Sequence, residues 1–335
     1  MRQLASIQKI KKLDPIPAAD AIERATVLGW QLVVKKGEFK EGDLCVYVEI
    51  DALLPDKPVF EFMKARGMRV RTIRLRGQIS QGICFPLSIL PISIHVEEGL
   101  DLTEDLEIEK YEPPIPASLS GIMKAGFPSY IPKTDETRVQ VLQELLDKLA
   151  GETCYVTEKL DGSSVTYFVK DGVFGVCSRN LELIETPDNT LWKLARELQI
   201  EEKLTALKAN YALQGEVIGE GVQGNKYKLK GQRVYFFSVF NIDAYRFLNY
   251  ENFVAMIKEL GLVCAPILES NYQLSNDIEE LVNKAIGKSV LFNVDREGIV
   301  IRPVTERTDM NGRVSFKAIN PEFLLKYEQV LKLIR

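Results

Sequence analysis

The chain has 335 residues, 46% of them hydrophobic and 27% charged, and a formal net charge of −4. That length predicts two domains, and the mixture is that of an ordinary soluble globular protein. No run of about 18 apolar residues occurs, which argues against a membrane-spanning helix, and the acidic balance argues against binding nucleic acid by bulk charge alone.

The N-terminal stretch "MRQLASIQKIKKLDPIP" carries neither an apolar h-region nor a cleavage site, so secretion is not expected. Residues 1–112 read as short strands. "ERATVLGWQLVVKKGEFKEGDLCVYVEIDALLP" alternates apolar and polar residues and is broken at Gly29, Gly37 and Gly42. "RTIRLRGQISQGICFPL" continues the pattern, and a five-stranded OB-type barrel suits the length. Inside this region "RGMRVRTIRLRG" gathers Arg66, Arg69, Arg71, Arg74 and Arg76 without one acid. Strand alternation puts Arg69 with Arg71 on one face, and Arg74 with Arg76 on one face. Such rows either contact phosphates or form a solvated edge that blocks aggregation.

Next comes "EKYEPPIPASLSGIMKAGFPSYIPKTDETR", whose prolines 113, 114, 116, 128 and 132 mark a linker over residues 113–137. The second domain is expected at 138–335. It opens with "RVQVLQELLDKLAG", which places Val139, Leu142, Leu145, Leu146 and Leu149 on one helical face, with Gly151 as the stop. Strands are expected at 153–159, 163–169, 173–178, 211–217, 233–242, 297–303 and 313–319. Helices are expected near 190–199, 250–260, 276–287 and 321–333. The predicted order is α+β, antiparallel sheets flanked by helices, and not a repeating βαβ chain.

Cys45, Cys84, Cys154, Cys177 and Cys264 stand apart, with no CxxC pair. This argues against zinc and against a disulfide framework, and points to a reducing, cytoplasmic setting. His95 is the only histidine, which leaves no material for histidine triads or clusters.

Lys159 ends an apolar alternating run in "CYVTEKLDGSSVTYFVKDGVFGVCSRN" and is followed by the turn signal Asp161–Gly162. Taken by itself, the segment is either a solvated hairpin tip or a nucleophilic lysine beside a ligand phosphate. Ordered partners follow: "SRN", "LQGEVIGEG", "YFFSVFNI", "REGIVIRP" and "VSFKAINPEF". The series resembles the covalent nucleotidyltransferase superfamily of polynucleotide ligases and mRNA capping enzymes. Those enzymes use a lysine nucleophile, a glutamate, a stacking aromatic, a second glutamate and a terminal lysine, in that chain order. DNA ligases and capping enzymes carry an OB domain after the last lysine motif, whereas here eighteen residues follow Lys317 and the barrel comes first. That order, with "KKGEFKEGDLCVYVEIDALLP", "FPSYIPKTDETRVQ" and "SFKAINPEFLLKY", resembles ATP-dependent RNA ligases with an N-terminal OB module.

The resemblance implies ATP and a divalent ion, Mg2+ or Mn2+, and an RNA or RNA-containing duplex as partner, with no membrane and no zinc. A monomer is the working expectation, although the sequence carries no signal for oligomeric state. It implies Lys159 as the nucleophile that carries AMP, and Lys317 as the cation at the α-phosphate. Asp161, Glu216 and Glu297 are expected to hold the metal through water, Asp161 alternatively to orient the catalytic lysine, and Glu216 also to contact the ribose hydroxyls. Phe240 is expected to stack on adenine, with Phe237 as the fallback, while Thr157 and Glu158 read the base. Arg179 is expected at the RNA 5′-phosphate. Each has a plainer alternative: a hairpin lysine or arginine, a turn aspartate, a structural ion pair, a core aromatic. Family members often have aspartate where Asn241 stands, and many superfamily members a K-x-K pair where this chain has Ser315 and Lys317; Arg302 is one source of the absent contact. "GEGVQGNKYKLKG" is either a flap over the nucleotide or a simple loop. Competing readings are DNA ligation or RNA capping, and a non-catalytic nucleic-acid-binding protein on the same fold.

Overall fold

The computed structural model describes residues 2–112, 115, 117–310 and 312–330. The chain forms two compact units: Met1–Pro113 with Gln140–Gln143 and Pro321–Arg335, and Pro114–Val139 with Glu144–Asn320.

In the first unit the strands are β1 (Ala5–Pro15), β2 (Ile22–Val27), β3 (Trp30–Lys35), β4 (Leu44–Val48), β5 (Ala52–Leu53), β6 (Thr72–Leu75), β7 (Gln78–Gln81), β8 (Ile83–Phe85) and β9 (Glu109–Lys110). The main sheet runs β3-β2-β1-β4-β8. The β6–β7 hairpin lies against the outer strand β3, where the Val33 N–H donates to Ser80 Oγ at 3.0 Å, so the sheet curls toward a closed barrel. Period-2 alternation sends Trp30, Leu32 and Val34 inward from β3, to join Ile7, Ile10, Ala25 and Val46. Each large side chain taken from water in this way contributes about 1.5–3 kcal/mol.

The arginine-rich segment divides. Arg69 is buried, pairs with Asp51 at 2.8 Å and lies 3.9 Å over the Tyr111 ring. Its row with Arg71 is therefore not an open phosphate-binding face; a guanidinium this sheltered needs the carboxylate and ring it has found. Arg74 and Arg76 are exposed.

The second unit adds β10 (Ile122–Gly126), β11 (Thr137–Arg138), β12 (Thr153–Lys159), β13 (Ser163–Lys170), β14 (Val173–Cys177), β15 (Leu181–Ile184), β16 (Tyr211–Gly219), β17 (Gln232–Asn241), β18 (Arg246–Phe247), β19 (Ile267–Gln273), β20 (Gly298–Pro303), β21 (Thr308–Asp309), β22 (Gly312–Arg313) and β23 (Phe316–Ile319). Its helices are α1 (Ala117–Ser120), α2 (Gln143–Lys148, which begins on the last residue of the first unit), α3 (Thr190–Glu197), α4 (Ile200–Ala206), α5 (Tyr250–Glu259) and α6 (Ile278–Ala285). Two sheets carry the unit, β10-β15-β14-β13-β16-β17-β18 and β11-β23-β20-β12-β19. One face of the larger sheet, with Val165, Tyr167, Val217, Phe236 and Val239, is covered by Leu191 and Leu194 of α3, Leu204 of α4, and Phe253 and Ile257 of α5. Asn189 caps α3 by accepting the Trp192 N–H at 3.1 Å, and Asp277 caps α6. The last helix, α7 (Pro321–Val330), belongs to the first unit, where Glu322 pairs with Arg74.

The expected proline-rich linker is largely part of the second unit. β10 pairs with β15, β11 runs parallel to β23, Ile131 is buried, and Gln214 Nε2 donates to the Pro132 carbonyl at 2.7 Å. Proline is tolerated beside edge strands, so these short pieces pair without entering a sheet interior. Pro113, Pro114 and Pro116, and residues 331–333 of the expected last helix, lie outside the described residues.

Candidate active site

β12 lies between β19 and β20, and β23 follows β20. Register then arranges the chemistry. Thr157 stands opposite Val300, which stands opposite Lys317; Lys159 stands opposite Gly298, and Tyr155 opposite Arg302. Directly opposed and alternate residues share a face, so Thr157, Lys159, Arg302 and Lys317 project from one side of this sheet. Glu297 precedes β20, and its Oε2 accepts from Lys159 Nζ at 2.7 Å. The two side chains are 23% and 15% exposed.

Glu216 arrives from the other sheet. It stands on β16 opposite Ser164 of β13, the strand that follows the Asp161–Gly162 turn. Burial pushes its carboxyl up to about 8; the charges of Glu297 and Asp161 add to this, against the pull of Lys159 and the Gly162 backbone N–H. Asp161 is pushed up to about 6 by burial and by Glu297, against the nearby Lys226. Burial alone would lower Lys159, but Glu297, Glu216 and Asp161 outweigh it and hold the ammonium above its ordinary range. At rest this is a charged lysine paired with Glu297 among further acidic side chains. Among the described residues no group of three or more His, Cys, Asp or Glu is placed to hold a metal ion directly.

Two neighbours were hidden in "GNKYK". The Lys226 ammonium pairs with Asp161, and Tyr227 Oη accepts the Asp161 backbone N–H at 2.7 Å. A glycine-rich basic loop was visible in the sequence; the partner of its lysine was not. Glu136, from the proline-rich stretch, pairs with Arg302 at 2.8 Å, and Arg302 Nε donates to Ser315 Oγ at 2.8 Å. Arg302 is 2% exposed and its Nη1 has no partner. Desolvation opposes its charge, but Glu136 holds the guanidinium charged, and Glu136 is held ionised in return despite its own burial. Ser315 therefore anchors Arg302.

The residues expected to read the base are both sheltered. Thr157 and Glu158 are buried. The Val290 N–H donates to Glu158 Oε2 at 2.9 Å, while Oε1 has no partner; the Glu158 N–H already donates to the Pro266 carbonyl at 2.8 Å. Phe240 is 1% exposed and packs with Ile131, Phe168, Cys177, Ala212 and Ile242, with Tyr245 and Phe247 against its ring. The structure thus places it in a core cluster apart from Lys159. Phe237 is only half-buried, packs in the cluster that contains Leu160 and Tyr227, and lies 5.7 Å from the Arg302 guanidinium. A β-bulge explains the exchange: Gln214 pairs with Ser238 but Gly215 with Phe236, which leaves Phe237 as the extra residue. Arg179 sits in the β14–β15 connection and pairs with Asp135 at 2.6 Å, beside the Lys133–Asn180 contact at 3.0 Å. Asn241 Oδ1 accepts the Ala244 N–H at 2.9 Å and so holds the turn after β17.

A family profile described as an OB-fold domain matches residues 4–87, and one described as RNA ligase matches residues 152–319. No curated protein matches the chain. Among solved structures it is similar to an apo variant of a Naegleria gruberi RNA ligase at 41% identity, covering 98% of this chain and 99% of that one, with a TM-score of 0.91. A variant of the same ligase with ATP and Mn matches at 41% identity over 96% and 98% of the two chains, TM-score 0.90. The same ligase with PPi matches at 41% over 98% and 100%, TM-score 0.91. An OB-type barrel first, a two-sheet unit second and this agreement along nearly the whole length place the chain in the RNA ligase family.

Proposed function

We propose that this RNA ligase seals 3′-OH/5′-phosphate ends, at nicks with an RNA 3′-OH strand, through a lysyl–AMP intermediate. The observation that carries the reading is one sheet face on which Lys159 meets Glu297 at 2.7 Å and shares its side with Lys317, while Glu216 and Asp161 approach closely enough to shift its charge. A lysine needs its lone pair to act as a nucleophile. Glu297 Oε2 is the atom placed to take the Lys159 proton as Nζ attacks the α-phosphorus of ATP. The attack forms the P–N bond and breaks the bond to pyrophosphate. In the resting site that proton transfer is uphill, because the acidic neighbours, Glu297 foremost, favour the ammonium.

The gathering of acidic oxygen around Lys159 suits a hard divalent cation, and Asp161, Glu216 and Glu297 would hold it through water. Mg2+ or Mn2+ there supplies positive charge that offsets the carboxylates and the developing charge on phosphate. Lys317 faces the same side and is assigned to the α-phosphate. Phe237 is assigned to stack on adenine, and Thr157, which shares the Lys159 face, to read the base. AMP then passes from Lys159 to the RNA 5′-phosphate, which Arg179 is assigned to hold. Attack by the 3′-OH on that activated phosphate joins the strands and releases AMP. Positioning and charge stabilisation supply most of the rate in such transfers.

The test is sealing of nicked duplexes with RNA or DNA on the 3′-OH side, in the presence of ATP and Mg2+ or Mn2+. Joining of the RNA 3′-OH substrate is expected. Joining of DNA alone, or none, contradicts the reading.

A further inference from the structure

The β16–β17 connection, residues 220–231, closes on the turn that follows Lys159. Lys226 and Tyr227 are adjacent in sequence, and both end on Asp161: one pairs with its carboxylate, the other accepts its backbone N–H. The Lys226 and Asp161 side chains are 19% and 15% exposed, so this is a sheltered pair and not the solvated kind that contributes little. The connection is braced for the task. Its neck is closed by the Glu220 N–H donating to the Gly231 carbonyl at 3.0 Å. Asn225 brackets Leu229, giving Nδ2 to its carbonyl at 2.9 Å and accepting its N–H at 3.0 Å. The Tyr227 ring packs 4.8 Å from that of Phe292. On the other side of the turn, Gly162 lies hard against β16, the strand that leads into the same connection.

We propose that Lys226 and Tyr227 are positioning residues for transfer of the nucleotide to Lys159, acting through Asp161 and not by touching the nucleotide. Residues 160–162 follow Lys159 directly, so a shifted turn displaces Nζ, and a displacement of about 1 Å is enough to cost roughly 100-fold in rate. Lys226 also engages the Asp161 carboxylate, which leaves Lys159 to pair with Glu297, its observed partner. The inference rests on Lys159 being the nucleophile, and its test separates the two.

The variants are Lys226→Met, Lys226→Arg and Tyr227→Phe, each alone and combined with Asp161→Asn. Hydrogen exchange of the Asp161 amide, in protein without nucleotide, should quicken about fivefold or more in Tyr227→Phe and Lys226→Met. Unchanged exchange in both overturns the clamp. Transfer from α-labelled ATP should slow roughly 10- to 100-fold in Lys226→Met with little change in the KM for ATP. Lys226→Arg should restore most of it, and Lys226→Met should add no further loss once Asp161 is asparagine. Losses that multiply in the double variant, or a raised KM at unchanged rate, overturn action through Asp161 and make Lys226 a direct phosphate contact. Wild-type protein that takes no label refutes Lys159 as the nucleophile, while the exchange measurement still decides the clamp.

Discussion

Glu216 and Gly162 approach so closely that no side chain fits between them. A Cβ built on Gly162 would stand 2.9 Å from Glu216 Cγ and 2.2 Å from the Val217 carbonyl oxygen. The glycine of the Asp161–Gly162 turn is therefore a matter of space, since its φ is not positive. Gly162→Ala must push β16 or the turn aside. It should cost about 1–3 kcal/mol of stability and slow lysine labelling roughly 100-fold. Denaturant unfolding and labelling with α-labelled ATP measure the two effects; normal values for both would contradict the packing argument.

Stability of the nucleotide-free protein should fall as the solution becomes alkaline. Glu216 is raised from 4.5 to about 8, so the folded state holds this proton more tightly than the unfolded chain does. The contribution is fully present below the unfolded value and is lost as pH rises through the folded one. Between about pH 5.5 and pH 8 the loss is on the order of 3 kcal/mol. Glu216→Gln should flatten the profile and melt above wild type at the alkaline end. A wild-type profile that rises over the same window would contradict the assigned shift.

The Arg302–Glu136 pair is buried, and the two ways of breaking it should differ. Glu136→Ala strands a guanidinium in the interior and should destabilise by about 3–5 kcal/mol. Arg302→Met strands the Glu136 carboxyl instead, but that group can take a proton whereas a guanidinium cannot lose one, so it should cost less, and Arg302→Met added to Glu136→Ala should recover part of the loss. Denaturant midpoints of the three variants decide the order; equal losses would mean that the pair carries no buried charge penalty.

Phe237 and Phe240 should separate cleanly. Phe237→Ala should raise the KM for ATP roughly 5- to 100-fold, the range for loss of one base–aromatic stack. Phe240→Ala should cost about 3–5 kcal/mol of stability and leave the KM of the folded enzyme unchanged. The reverse outcome would return the stacking role to Phe240.

These two phenylalanines also mark where sequence reasoning stops. The pattern in "YFFSVFNI" reads as one regular strand, and nothing in it announces the extra residue that the bulge inserts between the Gln214 and Gly215 pairings. Lys159, Glu297 and Lys317 were legible from the ordered series of motifs; Lys159 and Lys317 also lie on strands whose register brings them to one side, while Glu297 directly precedes β20. The barrel was legible from strand alternation: β3 alternates buried and half-buried residues along its length. Lys226, Tyr227 and Glu136 act from loops or irregular stretches, where spacing carries no information about partners up to 166 residues away. The short pieces β10 and β11 were hidden by their prolines, which signal breaks but say nothing about edge pairing.

The most direct test of the account is the covalent one. Wild-type protein and Lys159→Ala are incubated with α-labelled ATP and Mg2+ or Mn2+, denatured, and washed free of nucleotide. Label that stays on the wild-type chain and is absent from Lys159→Ala is the predicted result. No label on either, or equal label on both, would contradict the assignment of Lys159 as the residue that carries AMP.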